Sequence, residues 1–158
     1  MTNNLSNHIP ITSIIYQVCQ DKGVKPLHAI ESGSRAWGFA SPDSDYDVRL
    51  IYRHEPDWYL RLYAGKDTFE FIENDLFNVP FDIGGWDVRK ALQLLHKSNA
   101  VIFEWLNSPI MYHSDNQFLE AVKAVQNEFF DPKAIFYHYQ GMAKNASGEL
   151  ELDKPIKL

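Results

Sequence analysis

Asp45 and Asp47 stand at the head of a run, Tyr46 to Arg53, in which residue character alternates. Val48, Leu50 and Tyr52 fall on one side, and Asp47, Arg49 and Ile51 on the other. That period of two marks a strand with a buried face. On a strand, residues i and i+2 leave the same face with Cα atoms roughly 6.5–7 Å apart. Two carboxylates so placed repel each other unless cations lie between them. A pair of divalent ions about 3.5–4 Å apart fits the opening, the arrangement used for in-line phosphoryl transfer. All-oxygen ligands favour Mg²⁺ or Mn²⁺ over zinc or copper.

The residues upstream sharpen this constraint. Leu27 to Ser32 is a strand candidate, and the stretch GSRAWGFASPDS that follows has the Gly, Ser, Pro and Asp content of a loop with one helical turn. Asp-x-Asp alone is expected about once by chance in such a composition, whereas Gly-Ser followed nine to thirteen residues later by Asp-x-Asp is expected only about 0.03 times. Here ten residues separate Ser34 from Asp45. Other readings fail on spacing. Asp43, Asp45 and Asp47 imitate an EF-hand loop, but Val48 and His54 stand where that loop needs Gly and Glu. No P-loop pattern occurs, and Ser34 lacks the setting of a nucleophile elbow. The histidines, at 8, 28, 54, 96, 113 and 138, are too scattered for metal ligation.

Around this motif the order of elements is mixed. Residues 1–9 read as a polar lead-in. A helix is expected from Pro10, with Ile11, Ile14, Ile15, Val18 and Cys19 on its apolar face and Gly23 as its stop. Pro56 to Tyr63 reads as a short helix, and Thr68 to Glu73 and Val79 to Ile83 as strands, the second broken by Gly84-Gly85. Asp87 is placed to cap a helix reaching about Lys97. Further helices are expected over about Ala100 to Leu106, after Asp115 and after Asp131-Pro132, with a short strand over Pro109 to His113. Trp37 and Phe39 could stack on a base but read first as packing residues, and Cys19 reads as an inert core thiol. The fold class is α+β (mixed α/β), a small mixed sheet flanked by helices with more helices toward the C-terminus. Residues 1–113 form the expected catalytic core and 114–158 a helical segment packed on it. The chain ends at ELELDKPIKL with no evident cap, as a truncated piece would. Ile135, Phe136, Tyr139 and Met142 on the last helix want cover from the core or from a second copy in a homodimer.

Composition bounds the function. The 158 residues carry 21 acidic against 15 basic side chains, a formal charge of −6, which argues against broad wrapping of nucleic acid but not against contact with one strand end. A single cysteine excludes an internal disulfide and a cysteine-built zinc cage. The polar N-terminus is no signal peptide and no run is long enough to span a membrane, so a soluble cytoplasmic protein is the expectation.

Gly-Ser, ten residues, then Asp-Tyr-Asp with apolar flanks resembles the active-site signature of the DNA polymerase β-like nucleotidyltransferases. The fuller run GSRAWGFASPDSDYDVR, with FDIGGWDVRKALQLLHKSNAVIFEWLNSPIMY after it, resembles the branch of that superfamily named for an RNA repair pathway. The resemblance implies a polymerase β-like fold and a third metal-linked carboxylate, for which Asp82 is the matching position and Asp87, better placed as an N-cap, the competitor. An Asp within Val79-Pro80-Phe81-Asp82-Ile83 is also unusual unless paired or metal-bound. It implies that Gly33 and Ser34 hold the triphosphate of an NTP, ATP first among the candidates, with two Mg²⁺ ions (or Mn²⁺) on Asp45, Asp47 and Asp82. Ser44 could add a hydrogen bond, Arg35 could brace a phosphate or form a surface ion pair, and Lys90, with Arg89, could touch phosphate or face solvent. The implied reaction moves a nucleoside monophosphate onto a hydroxyl, foremost that of an RNA end, releasing pyrophosphate. A protein hydroxyl as acceptor, or a non-catalytic nucleotide-binding module, are the alternatives.

Overall fold

A computed structural model describes residues 5–74 and 79–148. Its elements are α1 (Leu5–Lys22), β1 (Lys25–Glu31), α2 (Gly33–Ala36), β2 (Tyr46–Arg53), α3 (Pro56–Tyr59), β3 (Thr68–Glu73), β4 (Phe81–Asp87), α4 (Val88–His96), α5 (Ala100–Leu106), β5 (Met111–Ser114), α6 (Asn116–Val125) and α7 (Pro132–Gly148). The fold is α+β, and its strands form one mixed five-stranded sheet in the order β3-β4-β2-β1-β5. β2 and β4 run parallel and the other neighbours antiparallel.

Alternation along β2 dictates what covers each face. Val48, Leu50 and Tyr52 join Ala29, Phe81 and Ile83 under Ile11, Ile15, Val18 and Cys19 of α1. On the other face, Ile51, Leu27 and Ile30 pack beneath Ala91 and Leu95 of α4, Ile102, Trp105 and Leu106 of α5 and Val122 of α6. The caps act as the side chains dictate: Asp87, Asn99 and Asp115 each accept a backbone N–H of the helix they precede. Cys19 is buried, which pushes its thiol up to about 12 and keeps it unreactive. No helix among the described residues is long and apolar enough to cross a membrane.

Several expectations need correction. α1 begins at Leu5, so Pro10 lies inside it; a proline removes one hydrogen bond and does not itself mark a helix start. α3 stops at Tyr59, short of Tyr63, and β5 begins at Met111 rather than Pro109. Trp37 and Phe39 are exposed rather than packed, because Ala36 is the buried residue of α2 and the chain turns away at Gly38 with φ +81°. Phe136, Tyr139 and Met142 of α7 also remain exposed. Residues 149–158, which include the ELELDKPIKL end, lie outside the described residues, as do residues 1–4 of the lead-in.

The largest correction concerns β4, which starts at Phe81 and runs through both glycines to Asp87. Each glycine has a different reason to be there. A Cβ on Gly84 would stand 3.1 Å from Arg49 Nη1, and one on Gly85 would stand 2.8 Å from the ring of Phe69 and 3.0 Å from that of Tyr52. The pair makes room on both faces of the strand and does not end it. Gly85→Ala forces two packed rings apart and is expected to cost about 1–3 kcal/mol, read as a lowered urea midpoint with an unchanged m-value.

His28 supplies a pH dependence. It is buried, and its Nε2 donates to the Trp105 carbonyl at 3.2 Å, which leaves Nδ1 to accept from the Ser114 hydroxyl at 3.3 Å. Burial lowers its pKa, and the Trp105 bond opposes only part of that shift. The unfolded chain therefore binds this proton more readily than the folded one. Stability is complete above the unfolded value, about 6.5, and falls as pH drops below it. Urea unfolding between pH 8 and 5 should show this slope, and His28→Gln should flatten it.

Candidate active site

The parallel pairing of β2 with β4 sets Asp47 directly beside Asp82, and Arg49 beside Gly84. Neighbouring strands lie about 4.8 Å apart, so two carboxylates from distant parts of the chain meet at the end of the sheet where both strands begin. Arg49 joins them. Its Nη1 donates to Asp82 Oδ2 at 2.8 Å and its Nη2 reaches Asp47 Oδ1 at 3.4 Å. Like charges at this separation need a cation, and the guanidinium fits there because Gly84 has no side chain to displace it.

The Gly33 backbone closes the other side of Asp47. Gly33 has φ +64°, and a Cβ there would lie 2.2 Å from Asp47 Oδ2. The residue must therefore be glycine for its dihedral and for its contact. Ser32 N–H donates to the Asp47 carbonyl at 2.7 Å, which fixes the start of the Gly33–Ser34 turn beside the carboxylate.

No sequence motif marks Glu31. It is fully buried, accepts the Asp47 N–H at 2.8 Å and accepts the Tyr112 hydroxyl at 2.5 Å. Burial raises its pKa to about 7, against the lowering effect of those two hydrogen bonds. Glu31 thus anchors the Asp47 backbone from the core side. Its signal in the sequence is a lone carboxylate directly after Ala29-Ile30 in the strand candidate Leu27 to Ser32.

The other expected residues have definite places. Asp45 is exposed immediately ahead of β2. Arg35 Nε donates to the carbonyls of Ser44 at 3.1 Å and Asp45 at 2.9 Å, and the guanidinium lies 3.9 Å from the Tyr46 ring centroid. Arg35 thereby staples the loop carrying Asp45 to α2. The Ser44 hydroxyl accepts the Ser41 N–H at 2.8 Å and closes its own turn. Lys90 pairs with Asp67 at 3.3 Å and starts from the far end of β4. Asp82 and Asp87 are five residues apart on that strand, or roughly 16–17 Å, so Lys90 does not join the carboxylates. Arg89 lies at that far end too, 5.1 Å from the Trp58 ring and 4.9 Å from the Tyr59 ring. Asp87 there accepts from the Tyr59 hydroxyl at 2.8 Å and pairs with His54 at 3.0 Å, as a buried cap.

Tested as a divalent-cation site, the donor chemistry fits. Asp47 and Asp82 are hard oxygen donors on adjacent strands, about two-thirds buried, already sharing one positive group, with Asp45 two residues ahead. Among the described residues, no group of three or more His, Cys, Asp or Glu side chains stands close enough to enclose an ion. Arg49 draws together only Asp47 and Asp82.

The chain is similar to known proteins over most of its length. The family model described as the RNA repair pathway DNA polymerase beta family matches residues 8–158. The chain is 46% identical over 125 residues to the uncharacterized protein YcgL of Bacillus subtilis (strain 168), an alignment covering 79% of this chain and 46% of that protein. The chain thus spans about half the length of this curated relative. A solved nucleotidyltransferase-like protein from Exiguobacterium sibiricum 255-15 superposes with a TM-score of 0.47 at 10% identity, over 75% of this chain and 39% of that one.

Proposed function

The chain belongs to the RNA repair pathway DNA polymerase beta family, and from that premise we propose that it moves a nucleoside monophosphate from an NTP, ATP first among the candidates, to the hydroxyl of an RNA end. The observation that carries this reading is the meeting of Asp47 and Asp82 across the parallel pair, against the Gly33 backbone. Asp45, Asp47 and Asp82 would hold divalent ions, Mg²⁺ or Mn²⁺ by donor type. Bound there, such ions neutralise the triphosphate and make the acceptor hydroxyl more acidic.

The chain's own groups have separate tasks. Gly33 and Ser34 would receive the phosphates through their backbone N–H groups and the Ser34 hydroxyl. Glu31 and Arg35 hold the two ends of the Gly33-to-Asp47 segment, so the carboxylates are positioned before substrate arrives. Asp82 takes the proton of the acceptor hydroxyl. The hydroxyl oxygen bonds to the α-phosphorus, the bond from that phosphorus to the bridging oxygen breaks, and pyrophosphate leaves with the electron pair.

The test is incubation of the purified protein with each α-³²P-labelled NTP, Mg²⁺ and short RNAs bearing free hydroxyl ends. Label on RNA with matching pyrophosphate release is the expected result. Label on protein instead would move the acceptor to a polypeptide hydroxyl, and nucleotide binding with no label on either would make the chain a binding module.

A further inference from the structure

A cavity of about 370 Å³ opens beside the carboxylates, and Asp82 and Arg49 form part of its wall. Its other lining includes Thr68 and Glu70 of β3 and the two tryptophans Trp86 and Trp105. The size falls in the range of small-ligand sites, about 300–1,000 Å³. Trp86 stacks on Trp105 with ring centroids 3.7 Å apart and planes at 21°, and Trp105 is buried. The cavity thus has a rigid, flat aromatic wall. Arg49 and Thr68 offer donors near it and Glu70 an acceptor, a mixture that matches the edge of a nucleobase.

Which partner of the reaction fits there follows from the lining. Asp82 borders the cavity, as does Ser32 just ahead of the Gly33–Ser34 turn, whereas Gly33, Ser34 and Asp45 themselves do not. The occupant therefore lies on the side of the proposed proton acceptor, next to the triphosphate cradle but not in it. The chain's net charge of −6 disfavours a long grip on a phosphate backbone, which gives contact with the terminal base more weight in holding a strand end. We propose that this cavity receives the terminal nucleoside of the acceptor RNA, its base against the Trp86–Trp105 pair and its hydroxyl directed at Asp82. This inference rests on the nucleotidyl-transfer reading above and names the acceptor subsite of that same site.

The test is fluorescence anisotropy with a 5′-fluorescein single-stranded RNA octamer in EDTA, where no transfer can occur, alongside an octamer whose 3′-terminal residue lacks its base. Base stacking on an aromatic side chain is worth enough to change affinity roughly tenfold. Trp86→Leu should weaken binding of the intact octamer by about tenfold and leave the abasic octamer, already weaker, unchanged. Because Trp86 also packs on the core, Glu70→Gln on the exposed edge strand serves as the second variant. It should raise the RNA KM about threefold while the NTP KM stays within twofold. Equal affinity for the two octamers, or no change in both variants, overturns the assignment even if label transfer proceeds normally. Trp86-dependent discrimination of the octamers without any label transfer in Mg²⁺ would instead keep the cavity and remove the catalytic reading.

Discussion

Asp47→Asn and Asp82→Asn are each expected to abolish nucleotidyl transfer while leaving a folded chain. Each replacement keeps the shape of the side chain and removes one of the two charges that meet across β2 and β4. A divalent ion acting as Lewis acid supplies several kcal/mol of transition-state stabilisation, so loss of a ligand should lower the rate by at least about 10³-fold. The structural cost is small. The Arg49 pairs are about a third exposed at both carboxylates, and ion pairs in that setting contribute about 1 kcal/mol or less. The two variants also differ from each other. Arg49 is 2.8 Å from Asp82 and 3.4 Å from Asp47, so Asp82→Asn removes the closer partner and should lose slightly more stability. Circular dichroism and urea midpoints check the fold, and single-turnover label transfer checks the chemistry. Near-normal turnover in either variant would detach the carboxylate pair from the reaction.

Gly33→Ala should damage both stability and activity, and other glycines allow the two causes to be separated. Gly23, Gly33 and Gly38 all have positive φ, at +66°, +64° and +81°. A Cβ on Gly23 or Gly38 would meet nothing within 4 Å, whereas on Gly33 it would lie 2.2 Å from Asp47 Oδ2. Gly23→Ala and Gly38→Ala therefore report the left-handed backbone cost alone, about 1–2 kcal/mol. Gly33→Ala adds expulsion of the Asp47 carboxylate from its place, for a total of about 2–4 kcal/mol, and transfer should fall about as far as in Asp47→Asn. If Gly33→Ala matched Gly23→Ala in stability and kept its activity, the close approach of the Gly33 backbone to Asp47 would play no part in the site.

The contrast between these residues also shows what could be read before any coordinates. The β2 strand was legible to the residue because its alternation is local. Val48, Leu50 and Tyr52 face α1, while Asp47, Arg49 and Ile51 take the other side. The carboxylate pair needed family resemblance, because nothing in local periodicity tells that a strand 35 positions onward lies parallel and in register with β2. Gly84-Gly85 misled for the opposite reason. Their cause is tertiary, in Arg49 on one face and Phe69 with Tyr52 on the other, and a local reading sees only a chain breaker. The sequence leaves Arg35 between a phosphate and a surface ion pair and offers Ser44 a hydrogen bond; the contacts the structure adds, Arg35 to the Asp45 carbonyl and Ser44 to the Ser41 N–H, arise from the folded loop and have no local signal. Lys90 begins at the far end of β4, which a spacing along the chain cannot reveal. Glu31 and Arg49 drew no assignment because each has meaning only through its contact with Asp47.

Divalent-cation binding at the head of β2 and β4 is what the proposed transfer most directly requires. Electron paramagnetic resonance of Mn²⁺, titrated into the protein with a non-hydrolysable NTP analogue, reads that binding without requiring turnover. The expected result is loss of the free Mn²⁺ signal with the parent protein and its return in folded Asp47→Asn and Asp82→Asn. An identical free-ion signal for all three proteins would contradict the assignment of these carboxylates to a metal–nucleotide site.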